Sequence, residues 1–424
     1  MSTSFWHPFA AMGSVGEAEL VIERGQDVWV FDSDGRRLLD ATASLWYANV
    51  GHGRREIAEA VAQQMGRIET YSAFGDFVTR PAQELTCKLA ELAPMPDARV
   101  FLGSGGGDAV DTAAKLARRY WAQVGSPARQ VLISRTAGYH GTHGYGTSLA
   151  GIDSNREGFG QLMPTVQVAH DSAAALAQAI EAQGEGNVAA FFLEPVIGAG
   201  GVHPPSDGYI EQVASICEQT GVLLVVDSVI CGFGRLGTWF AIERWPTVKP
   251  DMICFAKGVT SGYLPLGGVI VGARVSEPFF APGAPVFRHG ATYAGHAACC
   301  AAALANLAIM EREDLIRRGA DLEQDLLAAL LPLAQSPLVA QVRGGVGTMA
   351  AVELAPDLLE HDPSAVAQVA TIARRHGVIV RTLGRGIAVS PPLTATPEHF
   401  AMIATAVGEA LSEMERTHAE LVRA

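Results

Sequence analysis

The sequence predicts an α/β fold, with a mostly parallel central sheet covered by helices and a smaller α+β domain after it. Three observations carry that expectation. Between residues 100 and 310, short wholly apolar runs alternate with longer segments whose apolar residues recur at helical spacing, the pattern of a sheet buried on both faces. Beyond residue 310 the pattern changes to one long helical stretch, several short strands and a closing helix. Glycine is in excess, 46 of 424 residues against a usual share of about 7%. That excess marks tight turns and places where the backbone approaches a ligand.

Taken in order, residues 28–31 read as an apolar strand, Asp34 and Gly35 as a turn, and 37–39 as the returning strand of a hairpin. Residues 55–68 carry Ile57, Ala58, Val61, Ala62 and Met65 at helical spacing, and 81–92 repeat the pattern through Leu85, Leu89 and Leu92. Strands are expected at 100–102, 130–134, 188–193, 222–227, 252–255 and 268–271. Helices at 109–120, 173–182, 209–218 and 296–310 separate or follow them. Loops at the strand ends are then the favoured ligand positions. A long helix is expected over 312–331, strands over 342–354, 377–381 and 387–390, and an amphipathic helix over 399–421. The division is 1–55 as an N-terminal segment contributing to the small domain, 56–310 as the large domain, and 311–424 as the C-terminal small domain.

Charge and cysteine content narrow the function. Thirty-one Lys and Arg against 44 Asp and Glu give a net charge of -13, which disfavours a protein that must neutralise nucleic-acid phosphates. The six cysteines form no CxxC pair and sit among apolar or small residues, as buried reduced thiols do. No apolar run approaches the roughly 20 residues of a membrane span, and the N-terminus lacks the basic start and apolar core of a secretion signal. The expectation is a soluble cytoplasmic enzyme acting on small molecules, with neither nucleic acid nor membrane as partner.

Three features carry chemistry. SGGG at 104–107 lies between an apolar strand and a helix, where backbone amides at the helix N-terminus can hold a phosphate; it has neither GxGxxG spacing nor GK[ST], and a tight turn is the alternative. Asp227 ends an intensely apolar strand, a costly place for a carboxylate unless a cation or donor meets it. A helix cap or salt bridge is the other reading. Lys257 follows the apolar run MICFA and precedes Gly258; a partly desolvated amine suits Schiff-base chemistry, although a strand-end lysine can also simply reach solvent. His140 and His143, three apart, have no third ligand at convincing spacing, and no metal site is expected.

Beyond these features, the chain resembles the class III pyridoxal-phosphate-dependent aminotransferases. This is the fold type I group that contains the omega-amino-acid and amine:pyruvate transaminases. The resemblance spans nearly the whole length and rests on LWYANVGHG at 45–53, SGGGDAVDTAAKLARRY at 104–120, YHG at 139–141, EPVIGAGG at 194–201, DSVICGFGRLG at 227–237, FAKGVTSGYLPLGG at 255–268, TYAGH at 292–296 and RTLGRGIAVSPPL at 381–393. It implies a pyridoxal 5'-phosphate cofactor, with Lys257 as the lysine that forms the aldimine and then carries out a 1,3-proton transfer, and Asp227 as the partner of the pyridine nitrogen. It places Gly106, Gly107, Tyr139, His140, Glu194 and Val229 around the cofactor, Tyr139 and Val229 on opposite ring faces. The resemblance further implies a homodimer with shared active sites, in which Thr292 reaches the partner's cofactor phosphate.

Arg381 matches the arginine that binds a substrate carboxylate, for which a guanidinium fork is suited, and Trp46, with Phe74 or Tyr71, matches the aromatic wall of the pocket. Three departures stand out: Gly107 replaces the serine that relatives carry, removing a hydroxyl donor; Ser228 replaces a glutamate, which should alter hydrogen bonding at the cofactor edge; and Arg385 stands where relatives often have an acid. The implied activity is transfer of an amino group from a primary amine or omega-amino acid to a keto acid such as pyruvate. A decarboxylase, racemase or lyase of the same fold is the alternative.

Overall fold

The computed structural model describes residues 3–16 and 19–423. Its central sheet has seven strands in the order Arg99–Gly103, Gly267–Val271, Met252–Phe255, Leu223–Asp227, Val188–Leu193, Val131–Arg135 and Thr165–Val168. All neighbours run parallel except Gly267–Val271, which is antiparallel to both strands beside it. Every residue of the strands Val188–Leu193, Leu223–Asp227, Met252–Phe255 and Gly267–Val271 is buried, which is why they read as unbroken apolar runs. Alternate side chains feed two layers. Phe191, Leu193, Leu224, Val226, Ile253 and Phe255 join one core with Tyr209, Val213 and Leu307, whereas Phe192, Leu223, Val225, Met252 and Cys254 join another with Ala113, Ala117 and Trp121 of helix Gly106–Gln123. The seventh strand, Thr165–Val168, lies outside the expected six. It occupies an edge of the sheet and carries Thr165 and Gln167, so it lacks the apolar signature of the interior strands.

Beyond the sheet, the helices expected over 296–310 and 312–331 are Ala297–Arg312 and Leu315–Leu330, separated by Glu313 and by Asp314 at φ 53°. An aspartate tolerates this left-handed turn better than most residues. Two strand expectations need correction. The strand expected over 342–354 is a hairpin, Val339–Arg343 paired antiparallel with Ala350–Leu354. Gly347 in its turn has φ 75°, and a Cβ there would lie 2.5 Å from the Arg235 carbonyl oxygen. The strand expected over 377–381 serves two sheets: Val378–Ile379 pairs parallel with Arg37–Asp40, and Arg381–Leu383 pairs antiparallel with Gly386–Val389. The last helix runs Pro397–Arg423. Val28, Leu39 and Ala41 of the early chain share an apolar cluster with Val369, Val378, Phe400 and Val407 of the late chain. Among the described residues no helix is long and apolar enough to cross a membrane.

Candidate active site

Adjacent parallel strands release their polar residues at the same edge of the sheet. Asp227 is the last residue of its strand and lies in register with Cys254 of the next, three positions before Lys257; Glu194 follows the strand on the other side. One pocket there is lined by Gly106, Gly107, Tyr139, His140, Glu194, Asp227, Val229 and Lys257. These are the carboxyl ends of the strands, the favoured binding edge of an open parallel sheet. A second cavity, beside Cys217, Asp251 and Arg274, lies at the opposite strand ends, where Asp251 is already paired with Arg274 at 3.1 Å.

The pocket floor is a buried polar network. His140 Nδ1 donates to Asp227 Oδ2 at 2.8 Å, and the Val229 N–H donates to Asp227 Oδ1 at 3.1 Å. The carboxylate is thereby held in one orientation with lone pairs left for a further donor. Glu194 accepts from the Tyr139 N–H at 2.9 Å through Oε1 and from the Gly198 N–H at 3.0 Å through Oε2, while the Arg135 guanidinium donates to the Glu194 carbonyl. Burial raises the Glu194 pKa above the ordinary carboxyl range.

Lys257 sits on an elbow. Its backbone has φ 49°, an uncommon conformation for a residue with a side chain and one that costs about 1–3 kcal/mol unless the surroundings impose it. They do. Asn306 Nδ2 donates to the carbonyls of Gly258 at 2.9 Å and Val259 at 3.0 Å, and a Cβ at Gly258 would lie 2.7 Å from Asn49 Nδ2 and 2.8 Å from Phe233 Cβ. The Lys257 amine makes no hydrogen bond or ion pair among the described residues. Burial lowers its pKa, with Asp227 and Glu194 acting in the opposite direction.

The two glycines are shaped by their neighbours. A Cβ on Gly106 would lie 2.9 Å from Val229 Cγ1, and one on Gly107 would lie 3.2 Å from three atoms of the His143 ring. Both open an 18-residue helix, Gly106–Gln123, whose first-turn amides have no acceptor within the helix. In place of a hydroxyl at 107, the structure has the His143 imidazole. His140 and His143 turn to different carboxylates, Asp227 and Asp108.

Several residues expected at the site are not in the lining of this pocket. Trp46 is 2% exposed and packs in a cluster with Val196, Met349 and Leu383; Ile230, which lines the pocket, belongs to the same cluster. Phe74, 56% exposed, lines a separate apolar groove with Phe77, Val78 and Val286, and Tyr71 is also exposed. Thr292 is exposed and lies outside the pocket. Arg381 is half-buried outside the lining, close enough for its charge to counter the burial that raises the Tyr139 pKa, and its Nε has no hydrogen-bond partner among the described residues. Ser228 is fully buried, and its hydroxyl donates to the Phe240 carbonyl at 2.6 Å. Arg385 pairs with Glu353 at 3.1 Å.

Asn49, Asn306 and Arg235 were not singled out by sequence. Arg235 is fully buried and donates to the carbonyls of Thr348 and Pro391 and to Asn49 Oδ1, tying the Lys257 elbow to distant parts of the chain through Asn49. The available signal was a lone asparagine inside the otherwise apolar stretch AACCAAALANLAIM.

A family model for class-III aminotransferases matches residues 12–411. A putrescine–pyruvate aminotransferase of Pseudomonas aeruginosa is 35% identical over 93% of this chain and 90% of its own length. The crystal structure of a thermostable (S)-enantioselective omega-transaminase from Thermomicrobium roseum superposes with a TM-score of 0.91 at 38% identity, covering 96% of each chain. An amine transaminase from an uncultivated Pseudomonas species, solved in its PLP-bound form, gives 0.91 at 35% identity over 97% of this chain and 99% of its own.

Proposed function

Because the chain belongs to the class-III aminotransferase family, whose fold is the pyridoxal-phosphate fold type I, we propose that it transfers an amino group from a primary amine or omega-amino acid to pyruvate. The observation that carries this reading is the meeting of Lys257, Asp227 and the Gly106–Gly107 amides in one pocket. The residues suit pyridoxal 5'-phosphate on chemical grounds: a free amine with a lowered pKa, a carboxylate held from one side, and a helix N-terminus whose approach a Cβ at 106 would crowd. When bound, the cofactor supplies an electrophilic carbonyl carbon and a ring that withdraws electron density from the substrate Cα.

The chain's own groups do the rest. Asp227, oriented by His140, holds the proton on the ring nitrogen. The Gly106 and Gly107 amides would hold the phosphate, and Tyr139 and Val229, which line the same pocket, would hold the ring. The Lys257 amine, poorly solvated and so more readily neutral, takes the proton from the substrate Cα and delivers it one position away. Arg381, whose Nε lacks a partner among the described residues, binds the carboxylate of a keto acid, and Trp46 backs the substrate end through Ile230.

The same reading includes a homodimer with shared sites. Phe74, Phe77, Val78 and Val286 are exposed in one groove and Tyr293 is 66% exposed, an apolar surface suited to cover by a second copy, with Thr292 reaching that copy's phosphate. Residues 1–55 and 311–424 act as one small unit beside 56–310, in keeping with their shared apolar cluster. A cytoplasmic location accords with six unpaired cysteines. The test is to add 1-phenylethylamine and then pyruvate to the PLP-loaded protein while following visible absorbance. A band that fades and returns, with acetophenone and alanine formed one to one, is expected; acetophenone formed with free ammonia in place of alanine overturns the reading.

A further inference from the structure

Gly107 leaves one side of the pocket without a side chain, and the space is taken from across the fold. The His143 ring lies in tight contact with the place a Cβ at 107 would take, its Cγ, Nδ1 and Cε1 each 3.2 Å from that position, and His143 lines the same pocket as Gly106, Gly107 and Lys257. The loop that carries it is seated on the glycine itself: Gly141 has φ 89°, and a Cβ there would lie 3.1 Å from Gly107 Cα. The loop is also pinned to the helix that Gly106 opens, because Asp111 Oδ1 accepts from the Tyr145 N–H at 3.0 Å and the Gly146 N–H at 3.1 Å. The placement of His143 therefore follows from three separate contacts.

Electrostatics gives the ring a task. Asp108, in the first turn, accepts from the Ser104 N–H at 2.8 Å through Oδ2 and faces His143 Nδ1 at 3.4 Å through Oδ1. A carboxylate so close to the helix N-terminus repels a phosphate; an imidazole beside it supplies an N–H and offsets that repulsion. Resting on the proposed function, we infer that His143 is a phosphate-side ligand of the cofactor, replacing the side-chain donor that Gly107 lacks.

The experiment compares equilibrium retention of PLP with that of pyridoxal, which has the same ring and aldehyde but no phosphate. His143→Ala weakens PLP retention at least about tenfold and leaves pyridoxal retention unchanged, while His143→Gln, which keeps a donor, falls between. Gly107→Ser alone gives no tighter binding because its Cβ meets the ring; the double variant Gly107→Ser with His143→Ala recovers most of the loss. PLP retention equal to the parent's in His143→Ala, or an equal loss of PLP and pyridoxal, overturns the inference while the parent's own PLP binding leaves the functional reading intact. A parent protein that takes up no PLP overturns both.

Discussion

The floor of the pocket and the separate apolar groove, which on our proposal becomes its rim once a second copy docks, are built on opposite principles. On the floor, Asp227, Glu194 and His140 are buried, and each has a named partner within hydrogen-bond distance. On the rim, Phe74, Phe77 and Tyr293 are more than half exposed. Burying ionisable groups is tolerated only where donors and acceptors are matched, so the floor is complete within one chain. Exposed aromatic residues in a groove have no such balance. The difference teaches that the reactive groups belong to a single subunit and that, on our proposal, the wall around them waits for a second one.

Experiments can break or sharpen that contrast. The largest effect is expected from Lys257→Ala, which removes both the amine that holds the cofactor and the proton carrier: transaminase turnover falls by at least about 10⁴-fold while circular dichroism stays unchanged. Asp227→Asn keeps the shape but not the charge, and a loss of about 10²- to 10³-fold in kcat/KM is expected; a loss under tenfold would detach Asp227 from the chemistry. At the rim, Tyr293→Asp should weaken self-association about 30-fold, as for an interface hot spot, seen in sedimentation with activity falling at low protein concentration. Asn306→Ala removes the side-chain donor to the Gly258 and Val259 carbonyls and should cost about 1–3 kcal/mol of stability, read as a lower urea midpoint.

The smallest effect is a pH slope. Burial lowers the Lys257 pKa from its ordinary 10.5. Between the lowered value and 10.5 the unfolded chain keeps a proton that the folded chain has released, so stability of the cofactor-free protein rises with pH across that window. Below the window, the cost of a buried ammonium is present in full. Lys257→Met should flatten the slope in urea melts taken across alkaline pH; an unchanged slope would place its origin elsewhere.

Legibility followed burial pattern. The interior strands showed themselves because both their faces are covered, and Asp227 and Lys257 stood out because a polar residue ends or follows an apolar run. The edge strand Thr165–Val168 gave no such signal, being covered less and carrying polar residues. The turn through Gly347 was hidden for a related reason: the segment 342–354 reads as one strand, while the chain direction changes through left-handed glycines at 345 and 347. Glycine at 347 is required by the nearness of the Arg235 carbonyl, a contact between distant segments.

By itself the sequence determined the class of fold, the edge of the sheet where the candidate site lies, and the residues proposed to act there, because strand burial and strand-end polarity are local properties of the chain. Only the tertiary structure decided that His140 orients Asp227, that Asn306 and Asn49 clamp the Lys257 elbow, that the Ser228 hydroxyl donates to the Phe240 carbonyl, and that His143 fills the space beside Gly107. Each of these joins segments far apart in the chain, and their meeting depends on how helices and loops pack on the sheet, which residue spacing does not encode.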